Sequence, residues 1–203
     1  MKLYSAVKAP SPRRILMALA EKGMTQVEVV NLDLGKGDNL SADFRARNPI
    51  AKVPVLELDD GTCIAEASAI YRYLEEICPE PALLGRTAVE KAVIEMWDKR
   101  VESAFFMPVG NCFQHTSGFF KDRMTPIPAW GEEAGKLAAK FLPVLEQQLA
   151  LNPWVAGERF SVADITALCT LEFAKVIKLR PGDEFPAIQR WYQAMQQRPS
   201  YSA

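Results

Sequence analysis

Apolar residues follow two different periodicities along this chain, and the change from one to the other divides it into two regions. Up to about residue 78, short apolar runs alternate with helical stripes and turn residues. Beyond residue 86 no strand pattern recurs, and apolar residues return at every third or fourth position, as in amphipathic helices. The pattern therefore predicts an α/β region followed by an all-α region.

Seven elements are predicted in the first region, in the order β-α-β-α-β-β-α. Ser11 as N-cap, Pro12 at the first helical position and Gly23 as the stop signal mark its first helix. Asp60-Gly61 predicts a hairpin with a two-residue type I′ turn, which requires positive φ at both central positions. A βαβ unit followed by a ββα unit is a thioredoxin-like arrangement. The predicted elements span residues 2–5, 12–22, 27–34, 41–47, 53–58, 62–65 and 66–77.

The second region is predicted to contain helices only. Pro79, Pro81 and Gly85 mark the linker before it. Ser161 and Asp164 form a predicted capping box at the start of one of its helices. Other helices are predicted at residues 88–107, 132–149 and 185–197. We therefore expect a thioredoxin-like domain at residues 1–78, a linker at 79–86 and an all-α domain at 87–203.

Composition excludes several classes of partner. The 203 residues carry a formal net charge of −1, so electrostatics gives no reason to expect nucleic acid or an anionic membrane. No segment resembles a secretion signal, and none approaches the roughly 18 to 20 apolar residues of a membrane helix. The four cysteines lie far apart and there is a single histidine, so no metal-binding pattern is present. We expect free thiols in a reducing cytoplasm and no metal.

Three motifs, in this order and at this spacing, resemble the cytosolic glutathione transferases: KVPVLELDDGT, the acidic helix start at Glu66, and FSVADI. The resemblance covers essentially the whole chain. The segment APSPRRILMALAEKG is most similar to the bacterial and fungal branch that lacks an obvious catalytic tyrosine. The resemblance implies a homodimer, a glutathione site in the first domain, and a site for a small apolar electrophile between the domains.

Within this resemblance, six residues are expected to bind glutathione. A cis peptide before Pro54 exposes the backbone of Val53, which pairs with the cysteinyl unit as an added strand does. Lys52 meets the glycyl carboxylate, unless it is simply a solvated lysine. Glu66, Ala67 and Ser68 open a helix whose amides form a carboxylate site for the γ-glutamyl group. Relatives have Glu-Ser here, so Ala67 lacks one side-chain donor and weaker binding is expected.

The catalytic position departs most from the family pattern. Ala9 lies where many relatives carry serine or cysteine, and Tyr4 lies inside the first strand, where it is not expected to serve. No cysteine precedes Cys63, which disfavours exchange chemistry through a protein thiolate. The glutathione thiol, with an ordinary pKa of roughly 8.5, still has to be stabilised as a thiolate.

Two candidates remain for this task. Ser11 lies at the start of the first helix, whose amides and the neighbouring Arg13 and Arg14 favour a thiolate. Ser11 could equally be an ordinary N-cap. His115 follows the predicted helix 88–107 and could accept the thiol proton directly or through a water, although single histidines often have structural roles. Nearby apolar side chains could line an electrophile site or belong to the core, namely Met107, Phe113, Phe119, Phe120 and Trp130.

We therefore predict a glutathione transferase that conjugates glutathione to small apolar electrophiles and has a possible glutathione peroxidase activity. Ser11 and His115 are the candidate catalytic residues. Two alternatives remain open. One is a transferase-shaped binding protein without turnover, which the alanines at positions 9 and 67 favour. The other is a glutathione-dependent disulfide reductase, in which bound glutathione performs the exchange.

Overall fold

The computed structural model describes all 203 residues, which form two compact units. Unit 1 contains Met1–Leu84 together with Pro199–Ala203, and unit 2 contains Gly85–Arg198. The elements of unit 1 are β1 (Lys2–Ser5), α1 (Pro10–Glu21), β2 (Glu28–Asn31), α2 (Ala42–Arg47), β3 (Val55–Glu57), β4 (Cys63–Ala65) and α3 (Ala67–Ile77). Those of unit 2 are α4 (Ala88–Val101), α5 (Met107–Thr116), α6 (Pro128–Leu151), α7 (Val162–Ala174) and α8 (Pro186–Gln196). The predicted thioredoxin-like order and the all-α second half are confirmed.

The sheet of unit 1 has the strand order β2-β1-β3-β4. β1 and β2 are parallel, whereas β3 runs antiparallel to both β1 and β4. Tyr4 pairs with Val55, and Val55 pairs with Ala65. The end of β1, the start of β3 and the end of β4 therefore lie at one end of the sheet, which we call the Ser5 end.

The hairpin between β3 and β4 is confirmed, but its predicted type I′ turn is wrong. The loop has three residues, Asp59–Gly61, and only Gly61 has a positive φ, +85°. The Gly61 amide donates to the Leu58 carbonyl at 3.0 Å, as in a type I turn followed by a glycine in the left-handed region. The Asp60 carboxylate accepts from the Thr62 amide at 2.8 Å, which stabilises this wider loop.

Helix α1 begins two residues earlier than predicted. Its N-cap is Ala9, with no capping side chain, and its first residue is Pro10. Ser11 is therefore not the N-cap but the second residue of the helix. Pro10 and Pro12 both fit the first turn, because amides there have no acceptor within the helix. The predicted stop is confirmed, since Gly23 follows the helix with a φ of +64°.

Both faces of the sheet in unit 1 are covered. Leu3 and its partner Leu56 are fully buried on the face of α1 and α3. On the opposite face, Tyr4 and Val55 form a small cluster with Phe44 of α2. The buried face of α3 consists of Ala67, Ile70, Tyr71 and Leu74, whereas Ile77 is exposed.

In unit 2, α4 and α5 belong to one helical run from residue 88 to 116, with a π-helical segment at Glu102–Phe106. The predicted end at residue 107 is wrong. The Met107 amide donates to the Glu102 carbonyl, five residues earlier, just before Pro108. This wider turn takes up a proline without ending the helix. No helix of the chain is both long enough and apolar enough to cross a membrane.

Candidate functional site

Val53 and Pro54 precede β3 at the Ser5 end of the sheet. The peptide bond between them is cis, as the resemblance implies. Pro54 is buried, and no hydrogen bond within the chain uses the amide or the carbonyl of Val53. Val53 can therefore pair its backbone with an extended peptide that is added beside it.

Two asparagines hold the turn that leads to Val53. Asn48, only 4% exposed, donates from Nδ2 to the Lys52 carbonyl at 2.8 Å and accepts from the Ile50 amide at 3.1 Å. Asn39 donates to the Ala51 carbonyl at 2.7 Å, and Ala51 has a φ of +57°. These bonds present Lys52 at the surface, where its ammonium group has no partner within the chain. We missed both asparagines in the sequence, since their roles depend on a turn that only the fold defines.

The start of α3 leaves several polar groups without partners. Glu66 precedes the helix with φ +68° and ψ 126°, and no side chain caps it. The first helical hydrogen bond runs from the Ile70 amide to the Glu66 carbonyl at 3.0 Å. The amides of Ala67, Ser68 and Ala69 therefore have no helical acceptor. The Ser68 hydroxyl also has no hydrogen bond within the chain and is half-buried.

Three loops meet at the Ser5 end of the sheet, namely residues 6–9, 51–54 and the start of α3. Each contains a non-glycine residue with positive φ, and these residues are Lys8, Ala51 and Glu66. Only one other such residue, Lys178, occurs in the chain. Backbone conformations of this kind cost free energy and concentrate at functional sites. Together with the unpartnered amides, they mark this end of unit 1 as the candidate binding site.

The start of α1 offers less than expected. Because Pro10 and Pro12 have no amide hydrogens, Ser11 supplies the only free amide among the first three residues of the helix. Neither that amide nor the Ser11 hydroxyl has a partner within the chain. Arg13 donates to the Tyr201 carbonyl at 2.8 Å, and Arg14 is buried. Arg13 keeps its charge when it donates to a neutral carbonyl, so the electrostatic support expected from Arg13 and Arg14 stays a prediction.

Tyr4 and the cysteines show no sign of thiol-activating chemistry. The Tyr4 hydroxyl donates to Glu57 at 3.0 Å, and burial raises the pKa of this hydroxyl. None of the four cysteines forms a disulfide. Burial, followed by the nearby charge of Glu57, raises the pKa of the Cys63 thiol and keeps it protonated. No group of three or more His, Cys, Asp or Glu side chains could hold a metal ion.

His115 lies in the last turn of α5, inside the helical run rather than after it. Its Nδ1 accepts a hydrogen bond from the amide of Ile127, the N-cap residue of α6, at 3.0 Å. An accepting Nδ1 carries no proton, so in the neutral ring the proton is on Nε2. In this state Nε2 can donate a hydrogen bond but cannot accept a proton. The catalytic assignment of His115 stays a prediction, with donation as the role that fits its contacts.

The candidate aromatic wall is partly assembled within unit 2. Phe113 lies 5.7 Å from Phe119, 6.0 Å from Phe120 and 5.5 Å from Phe173, measured between ring centroids. We call these four residues the phenylalanine cluster. Phe119 is 52% exposed, so the cluster reaches the surface. Met107 and Trp130 are exposed and make no ring contact with it. We missed Phe173 because a distant helix supplies it.

Two family models match the chain. The glutathione S-transferase N-terminal domain matches residues 1–76, and the glutathione S-transferase C-terminal domain matches residues 130–199. The first match contains all the candidate glutathione-binding residues. The second begins after the phenylalanine cluster's loop and includes α7, where the predicted capping box is confirmed.

Known proteins extend the match over the whole chain. Glutathione S-transferase 2 of Saccharomyces cerevisiae is 40% identical over 203 residues, which cover 98% of this chain and 87% of that protein. The crystal structure of Gtt2 from Saccharomyces cerevisiae has a TM-score of 0.95, at 40% identity, covering 100% of this chain and 99% of the other. Elongation factor 1-gamma 2 of Oryza sativa is 32% identical over 90% of this chain but only 43% of its own length. The chain belongs to the glutathione S-transferase family.

Proposed function

We propose that this protein binds glutathione at the Ser5 end of the sheet and joins it through its thiol sulfur to small apolar electrophiles. One observation carries the proposal. The free backbone of Val53 and the free amides at the start of α3 lie at the same end of unit 1. A strand-like peptide with a carboxylate at each end can use both, and glutathione has this chemistry.

The glutathione backbone is proposed to lie beside Val53, with the amide and carbonyl of its cysteinyl unit bonded to those of Val53. Pro54 sets the exposed conformation of that segment. The glycyl carboxylate then meets the free ammonium group of Lys52. Since Lys52 is exposed, we expect this ion pair to contribute modestly and to weaken with salt.

The γ-glutamyl carboxylate is proposed to bind the amides of Ala67 and Ser68, at the positive end of the α3 dipole. Ala67 supplies an amide but no hydroxyl. The unpartnered Ser68 hydroxyl is available to replace that donor. Glu66 then assists through its own carboxylate, near the ammonium group of the same glutamyl unit.

Ser11 is proposed to stabilise the thiolate by donating from its amide and its hydroxyl. The thiolate attacks an electrophilic carbon, the new bond is C–S, and the thiol proton passes to solvent. At a chloroarene the chloride leaves with the electron pair of the C–Cl bond, whereas at an isothiocyanate the nitrogen takes the electron pair and a proton from water. His115 is proposed to assist as a donor through Nε2–H, directly or through a water. The phenylalanine cluster is proposed to hold the apolar electrophile, because its exposed ring offers a flat contact surface.

The proposal is tested by calorimetry and by turnover assays. Glutathione should bind with measurable heat, and a panel of chloroarenes, isothiocyanates and hydroperoxides should include at least one substrate. Turnover of hydroperoxides would add the glutathione peroxidase activity, in which the thiolate attacks a peroxide oxygen, the O–O bond breaks and the alcohol leaves. A second glutathione then reduces the resulting sulfenic acid, which gives glutathione disulfide and water. Glutathione binding with no turnover of any panel member would overturn the enzymatic part of the proposal.

A second candidate function is binding without turnover. It is favoured by the start of α1, which has Ala9 as N-cap and only one free amide. The similarity to elongation factor 1-gamma 2 points the same way, although the chain spans less than half of that protein. A disulfide reductase is a third candidate, and bound glutathione would have to do the exchange because the Cys63 thiol is held protonated. A disulfide-reduction assay with the Cys63→Ser variant separates these possibilities.

We further propose that the protein is a homodimer in the cytoplasm. None of the four cysteines forms a disulfide, which suits a reducing compartment. Sedimentation equilibrium should give twice the mass of a 203-residue chain. A monomer at micromolar concentration would contradict the dimer, and detection of the tagged protein outside the cytoplasm would contradict the localisation.

A further inference from the structure

We propose that Arg47 is a positioning residue for glutathione binding. It ties the short helix α2 to the sheet and thereby holds the turn that carries Lys52 and Val53. This inference rests on the proposed glutathione site, but it concerns side chains that are not expected to touch glutathione.

Arg47 holds two carboxylates at once. Its Nε donates to Glu57 at 2.7 Å, and its Nη1 donates to Asp43 at 2.6 Å. The same Nη1 lies 2.9 Å from the Asp43 carbonyl, and the guanidinium carbon lies 5.0 Å from the Tyr4 ring centroid. Charge-assisted bonds from one planar group in two directions fix its orientation, which a lysine could not reproduce.

The partners of Arg47 connect α2 to two strands. Glu57 belongs to β3, and Tyr4 of β1 donates its hydroxyl to the same carboxylate at 3.0 Å. The hydrogen bond from Arg47 is the first cause of a lowered pKa at Glu57, so this carboxylate is ionised at neutral pH. Arg47 thus joins the last turn of α2 to the centre of the sheet through an ion pair that is present at neutral pH.

Little else holds α2 in place. The helix has six residues, and Phe44 is its only buried side chain. Isolated helices of this length are unstable in water, so contacts with the rest of unit 1 determine whether it forms and where it lies. The Phe44 ring contacts Tyr4 at 5.8 Å, and the Arg47–Glu57 bond is the second attachment to the sheet.

The position of α2 determines the position of the turn at residues 48–53, which carries Lys52 and Val53. The residue after Arg47 is Asn48, the C-cap of α2, and its side chain bonds the Lys52 carbonyl and the Ile50 amide. A shift of α2 would move Asn48 and then Lys52 and Val53. The loss of Arg47 should therefore weaken glutathione binding while leaving Ser11, on α1, undisturbed.

A double-mutant cycle tests this inference with Arg47→Ala, Glu57→Gln and the double variant. In each, the KM for glutathione should rise by about tenfold, with kcat within about twofold and an unchanged KM for the electrophile. The KM for glutathione of the double variant should be no higher than that of either single variant, because both substitutions break the same Arg47–Glu57 connection. Amide hydrogen exchange should become faster across residues 44–53 and stay unchanged in α1.

Glu28→Gln is the matched control. The strand register places Glu28 and Glu57 on either side of Lys2, so the same substitution is made in the same row of the sheet. Its KM for glutathione should equal that of the unmodified protein. The inference is overturned if Arg47→Ala lowers thermal stability but keeps the normal KM, or if the two substitutions act additively. If the unmodified protein binds no glutathione, the proposed function fails instead.

Discussion

Two helix starts, one in each unit, differ in whether the amides of their first turn have hydrogen-bond acceptors. At α7, Ser161 accepts from the Ala163 amide, and Asp164 accepts from the amides of Ser161 and Val155 and from Trp191 Nε1. All of these groups are buried. At α3, no side chain caps the helix, and the first amides face the Ser5 end of the sheet without partners.

The difference separates a folding signal from a binding site. Every helix start leaves amides that need an acceptor. When a neighbouring carboxylate satisfies them, as at α7, the start contributes to stability. When the chain leaves them open, as at α3, an external anion can take the place of the cap. The start of α1 lies between these cases, because two prolines reduce its free amides to that of Ser11.

Asp164→Ala should have the largest effect and should act on stability alone. It leaves the buried amides of Val155 and Ser161 and the indole N–H of Trp191 without an acceptor. We expect the free energy of unfolding to fall by about 4 kcal/mol. Chemical denaturation measures the loss. The affinity for glutathione, measured at denaturant concentrations below the unfolding transition, should not change. A parallel loss of affinity would mean that the start of α7 also contributes to binding, which would contradict the comparison.

The same residue gives unfolding a pH dependence. Burial raises the pKa of the Asp164 carboxyl from 3.8 to about 6, against the opposing effect of its hydrogen bonds. Because the folded protein binds this proton more tightly than the unfolded chain, its contribution to stability falls as the pH rises from about 4 to about 6. The difference in unfolding free energy between the unmodified protein and Asp164→Asn should therefore shrink over this range. Urea denaturation at several pH values measures it, and a difference that grows with pH would contradict the assignment.

Ser11→Ala tests whether Ser11 alone can stabilise the thiolate at the start of α1. It removes the hydroxyl donor and keeps the amide, so kcat should fall by about 30-fold, with little change in the KM for glutathione. The pKa of bound thiol, read from thiolate absorbance against pH, should rise toward the value of free glutathione. Ser68→Ala is the counterpart, and it should raise KM and leave kcat unchanged. A normal kcat in Ser11→Ala would shift the catalytic role to the amide or to His115.

Ala67→Ser should have the smallest effect. Whether it tightens or weakens glutathione binding tells whether a carboxylate binds at the start of α3. If the start of α3 binds a carboxylate, the added hydroxyl supplies a donor and tightens glutathione binding by about fivefold. Calorimetry measures this change. Ala67 is buried, so without a bound carboxylate the new hydroxyl lacks a partner and lowers stability. Weaker or unchanged binding would mean that the γ-glutamyl group lies elsewhere.

Local patterns in the sequence were sufficient where one segment contains all the interacting groups. The Ser161–Asp164 box was predicted from four consecutive residues and is confirmed. The start of α1 was placed two residues late, because Pro10 and Pro12 are both acceptable in a first turn. The loop after β3 was assigned the wrong turn, because the side chain of Asp60 favours a longer one.

Residues that act through distant partners were not predictable in this way. Asn39 bonds a carbonyl twelve residues away, and Arg47 reaches a strand ten residues on, which composition and periodicity do not reveal. His115 can act only as a donor because its Nδ1 accepts from the Ile127 amide, which lies across a loop. The sequence was sufficient to predict which residues form the candidate binding site. The residues that hold them in position could be identified only from the fold.

Residues 199–203 belong to unit 1, although all of unit 2 precedes them in the sequence. They contact α1 at both ends, where Arg13 bonds the Tyr201 carbonyl and Glu21 accepts from the Ser200 hydroxyl. A ribosome releases α1 long before the residues that cover it, because Ser200 follows Glu21 by 179 positions. The surroundings of the helix that carries Ser11 are therefore complete only after unit 2 has been synthesised. Any product that stops before residue 199 would contain the proposed glutathione-binding residues and yet lack the contacts that Arg13 and Glu21 make with residues 200 and 201.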